Sequence, residues 1–239
     1  MPTLLASSSA TFGAELDRDP LVVVPVGALE AHGPHLPLGA DQIQAEATCT
    51  ALAERLGAWV APTISFGSCP GARDFPGTVS VPLDTLEAYV RHVLTEFARQ
   101  GVRRLLVLSG HAERGHMAAL REAADRTHRD VPSCRIVVLS DYDFVYELRG
   151  QLAPSTDGHG GMLETSRVMA LAPETVGSER PVVEHRGSPF VPGPPSKHEW
   201  PESVQGDTRP ANRELGERVQ RHVLDRLEST VAALLPRTS

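Results

Sequence analysis

Apolar residues along this chain fall alternately into short continuous runs and into stretches with helical spacing, a pattern that predicts an α/β fold. Leu21–Val26 is a strand-like apolar run, and Gln42–Leu56 follows with Ile43, Ala47, Leu52 and Leu56 at helical intervals behind Asp41 at the N-cap position. Trp59–Ile64 reads as a short strand broken by Pro62, and residues 65–78 as a loop rich in glycine and proline. Asp84 is expected to cap a helix running to Arg99, with Leu86, Tyr89, Val90, Val93, Leu94 and Phe97 on one face and Gly101 at its end. Val102–Leu108 and Arg135–Leu139 read as strands, and Glu113–Thr127 and Met162–Leu171 as helices. Seven prolines between residues 181 and 210 predict a long surface loop, followed by a helix from Asn212 to Leu235. Such alternation implies a mostly parallel sheet covered by helices on both faces. With no internal repeat or linker, residues 1–239 are expected to form one domain.

Composition narrows the function. At 41% hydrophobic and 22% charged over 239 residues, the chain can bury a sizeable core. A net charge of −7, with no basic run longer than a pair, argues against a nucleic-acid surface. No segment approaches the roughly 18 apolar residues of a membrane helix, and the N-terminus lacks the basic and apolar regions of a signal peptide. Cys49, Cys69 and Cys134 are scattered, without a Cys-x-x-Cys pair, so buried thiols in a reducing cytoplasm are expected.

The chemistry lies at the ends of two predicted strands. Glu30-Ala31-His32-Gly33-Pro34-His35-Leu36-Pro37-Leu38-Gly39-Ala40-Asp41 leaves the first, where Glu30 and His32, two apart, project to the same side of an extended segment. His111 and Glu113 repeat that pairing after Leu105–Leu108. Each residue has a plain structural alternative: Asp41 as a helix cap, His111 and Glu113 as solvated loop groups. Together, at strand ends where open α/β sheets bind ligands, they form a nitrogen and oxygen donor set for divalent metal. A two-metal hydrolytic site needs such a set, with one bridging carboxylate. The set contains no cysteine, which disfavours a closed structural zinc site and leaves zinc, manganese or iron.

His159, in Asp157-Gly158-His159-Gly160-Gly161, is the natural general acid/base, beside a helix that starts near Met162 and would offer free N–H groups. Glu164 falls in that helix's first turn, where compensation of the dipole, positioning and catalysis all remain open. Phe75-Pro76-Gly77-Thr78 reads as a turn fixing the preceding loop against the site. His35 is expected to orient a neighbour or to pack, and Arg73, Arg114 and His116 to be solvated surface groups.

Val24–Asp41 resembles the opening motif of the creatininase (creatinine amidohydrolase) family, Gly-x-x-Glu-x-His-Gly-x-His-Leu-Pro-x-x-x-Asp. Phe75–Thr78, Ser109-Gly110-His111-Ala112-Glu113, and His159-Gly160-Gly161 with Glu164-Thr165-Ser166 follow in the family's order. The resemblance covers roughly residues 21–176 and implies a three-layer αβα sandwich, commonly a hexamer. It also implies two divalent ions per chain, one on Glu30, Asp41 and His111, the other on His32, Asp41 and Glu113, with Asp41 bridging. The family's metal-bound hydroxide attacks an amide carbonyl, and His159 matches the histidine that passes protons to the leaving nitrogen. Members that open creatinine carry Trp-Asp-x-Glu just before that histidine, whereas this chain has Ser155-Thr156-Asp157-Gly158. The aromatic wall and carboxylate partner are therefore expected to be missing, and the substrate to be another small polar molecule with a cyclic amide or formamide bond. The alternatives are a peptidase maturing a small peptide precursor, of mycofactocin type, and a catalytically silent metal- or metabolite-binding relative.

Overall fold

Three six-residue strands of almost uniform apolar character set the architecture, because side chains alternate and both faces of the sheet must be covered. The structure is a computed structural model and describes residues 3–184 and 200–237. In chain order its helices and strands are α1 (Ser9–Leu16), β1 (Leu21–Val26), α2 (Ala40–Leu56), β2 (Trp59–Val60), α3 (Leu83–Arg99), β3 (Arg104–Ser109), α4 (Arg114–Asp130) and β4 (Arg135–Ser140). There follow α5 (Tyr142–Val145), α6 (Met162–Leu171), β5 (Val182–Val183), β6 (Gly206–Asp207) and α7 (Arg213–Leu234). The main sheet runs β2-β1-β3-β4, every pair parallel, with Val22 opposite Leu105 and Leu105 opposite Ile136.

Successive residues of each strand feed opposite cores. Leu21 and Val23 of β1 and Leu106 and Leu108 of β3 pack with Leu52 of α2 and Val219, Val223 and Leu227 of α7. Val22, Val24, Val26, Leu105 and Val107 point the other way, onto Val90 and Leu94 of α3 and Leu120 of α4. The result is the expected three-layer α/β arrangement with a parallel sheet at its centre. Burying each such aliphatic side chain contributes on the order of 1.5–3 kcal/mol.

Departures from the sequence pattern have local causes. The expected strand Trp59–Ile64 shortens to two residues: Pro62 carries no N–H for a ladder, and pairing resumes only as a bridge between Ile64 and Val26. α1 was not legible from apolar spacing because it buries one side chain, Phe12, which meets Trp59 edge-on with ring centroids 5.2 Å apart. Its start is nonetheless marked by Ser8, whose hydroxyl accepts the Thr11 N–H at 3.1 Å. Asp41 and Asp84 lie inside the first turns of α2 and α3 rather than capping them; Gly39 and Pro82 hold the N-cap positions. The span 181–210 contains a two-stranded antiparallel pairing of β5 with β6, and residues 185–199 of the predicted loop lie outside the described residues. Asn212 caps α7, its side chain accepting the Leu215 N–H at 2.9 Å. No helix among the described residues is long and apolar enough to cross a membrane.

β1 and β3 end level with each other, Val26 opposite Ser109, so the residues that follow emerge side by side at the carboxyl edge of the sheet. α2 begins hard against both exits. A Cβ on Gly110 would lie 2.1 Å from the Asp41 carbonyl oxygen, and one on Gly27 would lie 2.7 Å from the Gln42 Cα. Only glycine lets the two strand ends and the first turn of α2 approach this closely, and that approach brings Asp41 to the strand-end histidines.

Candidate metal centre

Glu30, His32, Asp41 and His111 converge as the sequence predicted, and all four are buried. His111 comes from the exit of β3. Its Nε2–H donates to the Ser68 carbonyl at 3.0 Å, which turns Nδ1 toward Glu30 Oε2 and Asp41 Oδ2, each 3.1 Å away. The Nδ1–H of His32 donates to the Glu30 carbonyl at 3.0 Å, leaving Nε2 3.2 Å from Asp41 Oδ1. Each ring is thus held from behind through one nitrogen and presents the other to carboxylates, the orientation that metal-ligating histidines adopt. The turn Phe75–Thr78 supports this strand end: Thr78 Oγ1 accepts the Ala31 N–H at 3.0 Å, and the Val79 N–H donates to the Leu29 carbonyl.

Three donor atoms in this cluster, Glu30 Oε2, His32 Nε2 and Asp41 Oδ2, are buried without a hydrogen-bond partner. Buried polar atoms are ordinarily paired, so three orphans within one cluster fit a cation there. Electrostatics agree. Burial opposes charge on His32, but Asp41 and Glu164 outweigh it and raise its pKa to about 10. Burial likewise opposes charge on His111, which Glu30 and Asp41 push well above the imidazole value. Against the effect of burial, His32 and His111 hold Asp41, and His111 and His159 hold Glu30, below the usual carboxylate range. Without metal, protonated imidazoles supply the positive charge that the carboxylates require.

Glu113 stands apart from this convergence. It caps α4, with Oε2 accepting the His116 N–H at 2.7 Å, and its ligand atoms do not join those grouped within 4.8 Å of one another. Glu164 of α6 joins instead, grouped with His32 and Asp41. Both its oxygens are engaged: Oε1 accepts from the Tyr142 hydroxyl and from Gln44 Nε2 at 2.9 Å, and Oε2 accepts the Gly160 N–H at 2.8 Å. Tyr142 adjoins a buried ion pair, Arg167 to Asp141 at 2.7 Å, which Thr48 and Gln220 extend.

His159 lies over His32, ring centroids 4.1 Å apart and nearly parallel, and its Nε2–H donates to the Ala31 carbonyl at 2.8 Å. Nδ1 is then the nitrogen free to exchange a proton. Burial first, and the charge on His32 second, lower its pKa. The neighbouring helix end differs from expectation. Asp157 accepts the Met162 and Leu163 N–H groups at 2.6 and 3.1 Å, so the first two N–H groups of α6 are already taken. The motif tryptophan before His159 is absent as expected, but an aromatic ring meets His159 from a distant segment. Trp200 packs against His159 at 4.6 Å between centroids, and its Nε1–H is buried without a partner. Because Trp200 follows His159 by 41 residues, no local motif could announce it.

Two other histidines are buried rather than catalytic. His35 donates to Thr165 Oγ1 at 2.8 Å, and burial, with Arg180 next, lowers its pKa to about 4, so it orients and packs as expected. His116, expected on the solvated surface, is fully buried: its Nδ1 accepts the Ser68 N–H and its Nε2 meets Ser109 Oγ. Burial first, then the charge on His111, lower its pKa to about 3. Cys69 also departs from the predicted oxygen and nitrogen set, since its sulfur lies with Glu30 and His111.

Comparison with known proteins places this architecture. The family model described as "Creatininase: Creatinine amidohydrolase" matches residues 6–231. Creatinine amidohydrolase of Pseudomonas putida is 37% identical over 192 residues, 73% of this chain and 72% of that protein. Mycofactocin precursor peptide peptidase of Mycolicibacterium smegmatis is 32% identical over 166 residues, 66% of this chain and 60% of that protein. Creatininase solved with manganese superposes with a TM-score of 0.89 at 28% identity, covering 98% of this chain and 99% of that one. A glutamate-to-glutamine mutant creatininase of Zn–Zn type gives the same score and identity, covering 98% of each chain. Buried orphan donors at the carboxyl edge of a parallel sheet, in a chain matched along nearly its whole length, have one account: the chain belongs to the creatininase family of metal-dependent amidohydrolases.

Proposed function

We propose that this enzyme hydrolyses a cyclic amide or formamide C–N bond of a small polar molecule at a dinuclear metal centre. The buried orphan atoms of Glu30, His32 and Asp41 carry this reading. Asp41, whose two oxygens face His32 and His111 separately, would serve both ions, with Glu30 and His111 holding one and His32 and Glu113 the other. Glu113 is preferred to Glu164 because Glu164 Oε1 already accepts two hydrogen bonds, whereas Glu113 uses one oxygen on a single backbone N–H. Zinc suits this donor set best, with manganese or iron as substitutes. When bound, two such ions would polarise the amide carbonyl and bring the pKa of water toward neutrality.

The protein's own groups do the rest. His159 takes a proton at Nδ1 and delivers it to the leaving nitrogen, while its Nε2–H stays on the Ala31 carbonyl and fixes the ring's aim. Trp200 walls the substrate beside His159 and excludes water. Glu164 holds the Gly160 N–H and thereby the backbone next to His159. A flat aromatic face against the acid/base favours a small planar substrate over an extended peptide, although relatives named as peptidases make peptide cleavage the second reading. A cytoplasmic setting and a homo-oligomer go with this proposal; sedimentation tests the second.

Elemental analysis of protein purified without chelator tests the centre. About two divalent ions per chain, lost in Asp41→Ala, is the expected result, and a protein that neither holds nor takes up zinc, manganese or iron overturns it. A parallel screen of cyclic amides, formamides and short peptides separates the two readings, and turnover of peptides alone would favour the second. Two bound metals without turnover of any class would favour the silent relative.

A further inference from the structure

The three cysteines occupy different surroundings. Cys49 lies within the apolar core on one face of the sheet and Cys134 within that on the other, where a buried thiol behaves as a small hydrophobe. Cys69 belongs to neither. Its sulfur lies among ligand-type atoms, with a Glu30 carboxylate oxygen and a His111 ring nitrogen, all within 4.8 Å of one another. All three residues are buried.

The loop carrying Cys69 is built to hold this position. The Cys69 N–H donates to Ser80 Oγ at 2.8 Å, and the preceding Ser68 carbonyl accepts His111 Nε2–H at 3.0 Å. One dipeptide therefore sets both the free nitrogen of His111 and the place of the sulfur. Independently, Glu30 of the same trio has a buried oxygen, Oε2, that lacks a hydrogen-bond partner and faces His111 Nδ1 at 3.1 Å. A buried carboxylate oxygen grouped with an imidazole nitrogen and a thiol sulfur is a donor set that a cation would satisfy.

Resting on the dinuclear reading above, we propose that Cys69 is a further ligand, as thiolate, of the ion held by Glu30 and His111. When the metal–sulfur bond forms, the thiol proton leaves to solvent, and no redox step is involved. A soft sulfur donor favours zinc, cobalt or iron over manganese, which prefers oxygen and nitrogen. The consequence is unequal sites within one centre: a sulfur-containing one selective against manganese, and a nitrogen and oxygen one without that preference.

Cobalt(II) reports this directly. Metal-free protein titrated with cobalt should develop, besides visible ligand-field bands, a near-ultraviolet thiolate-to-cobalt charge-transfer band. Cys69→Ser should abolish that band while cobalt still binds, and Cys49→Ser and Cys134→Ser should keep it. Competition between zinc and manganese gives a second measure. Since second-shell changes alone cost about 10–100-fold in metal affinity, the zinc preference of one site should fall at least about tenfold in Cys69→Ser. Ligand-field bands without charge transfer in the wild-type protein would remove sulfur from coordination yet leave the dinuclear reading standing. No cobalt binding at all would overturn both. The wild-type spectrum decides the question even if the serine variant fails to fold, and Cys69→Ala offers a second substitution.

Discussion

His159 stacks on His32, ring centroids 4.1 Å apart with an interplanar angle of 25°, so the proposed acid/base and a histidine of the candidate metal centre lie face to face. Charge on one ring opposes charge on the other, and His32 is among the causes that lower the pKa of His159. An imidazole biased toward its neutral form is ready to accept a proton at neutral pH. Replacing it should therefore cost turnover and not structure: His159→Ala is expected to retain two metals and its melting temperature while losing about 10²–10⁴-fold in kcat. Undiminished turnover would remove His159 from the mechanism.

Glu113 and Glu164, the two glutamates weighed for the second ion, should separate by metal count. Glu113→Gln is expected to lose about one ion per chain. The start of α4 should be kept, since the glutamine amide oxygen can still accept the His116 N–H. Glu164→Gln should keep both ions but lower kcat, because its carboxylate fixes Gly160 beside His159 and gathers Tyr142 and Gln44. The opposite pattern by elemental analysis would exchange the two roles.

The metal-free protein should have an unusual pH response. Folding raises the His32 pKa from 6.5 to about 10, so its contribution to stability is complete below pH 6.5 and is lost as pH rises toward 10. Folding lowers the Asp41 pKa from 3.8, so its contribution is present above that pH and is lost on acidification through the folded value. Stability in chelator should thus fall from pH 6.5 to 9. Metal ligation requires His32 Nε2 unprotonated, so the stabilisation added by zinc should grow over the same range, with proton release on binding. Calorimetry in buffers of differing ionisation enthalpy measures that release, and none at pH 7 would contradict the assignment of His32.

Much of this was legible in the sequence because it is local. Glu30 and His32 share a side through strand alternation, and the apolar runs Leu21–Val26 and Leu105–Leu108 fix where they and His111 emerge. What was not legible depends on distant segments meeting. Trp200 reaches His159, Cys69 reaches Glu30 and His111, and Glu164 takes its donors from α2, α5 and the Gly160 backbone. His116 illustrates the same limit: a histidine in a polar helical turn gives no sign that the loop at Gly67 and Ser68 closes over it.

The closest backbone approach at the site offers the last test. A Cβ at position 110 would lie 2.1 Å from the Asp41 carbonyl oxygen, and that atom belongs to the first turn of α2 rather than to a mobile side chain. Gly110→Ala must therefore push α2 away from β3, carrying Asp41 from His111, whose Nδ1 is 3.1 Å from its carboxylate. Overpacking of this kind costs about 1–3 kcal/mol, a modest loss beside the effect on a centre that depends on Asp41 touching both histidines. The variant should fold with a lowered melting temperature and bind fewer than two ions per chain. Gly39→Ala is the control: its Cβ would meet nothing within 4 Å, so it should keep both ions. If Gly110→Ala retained both metals at wild-type affinity, the close fit of α2 to the strand exit would not be what assembles the centre.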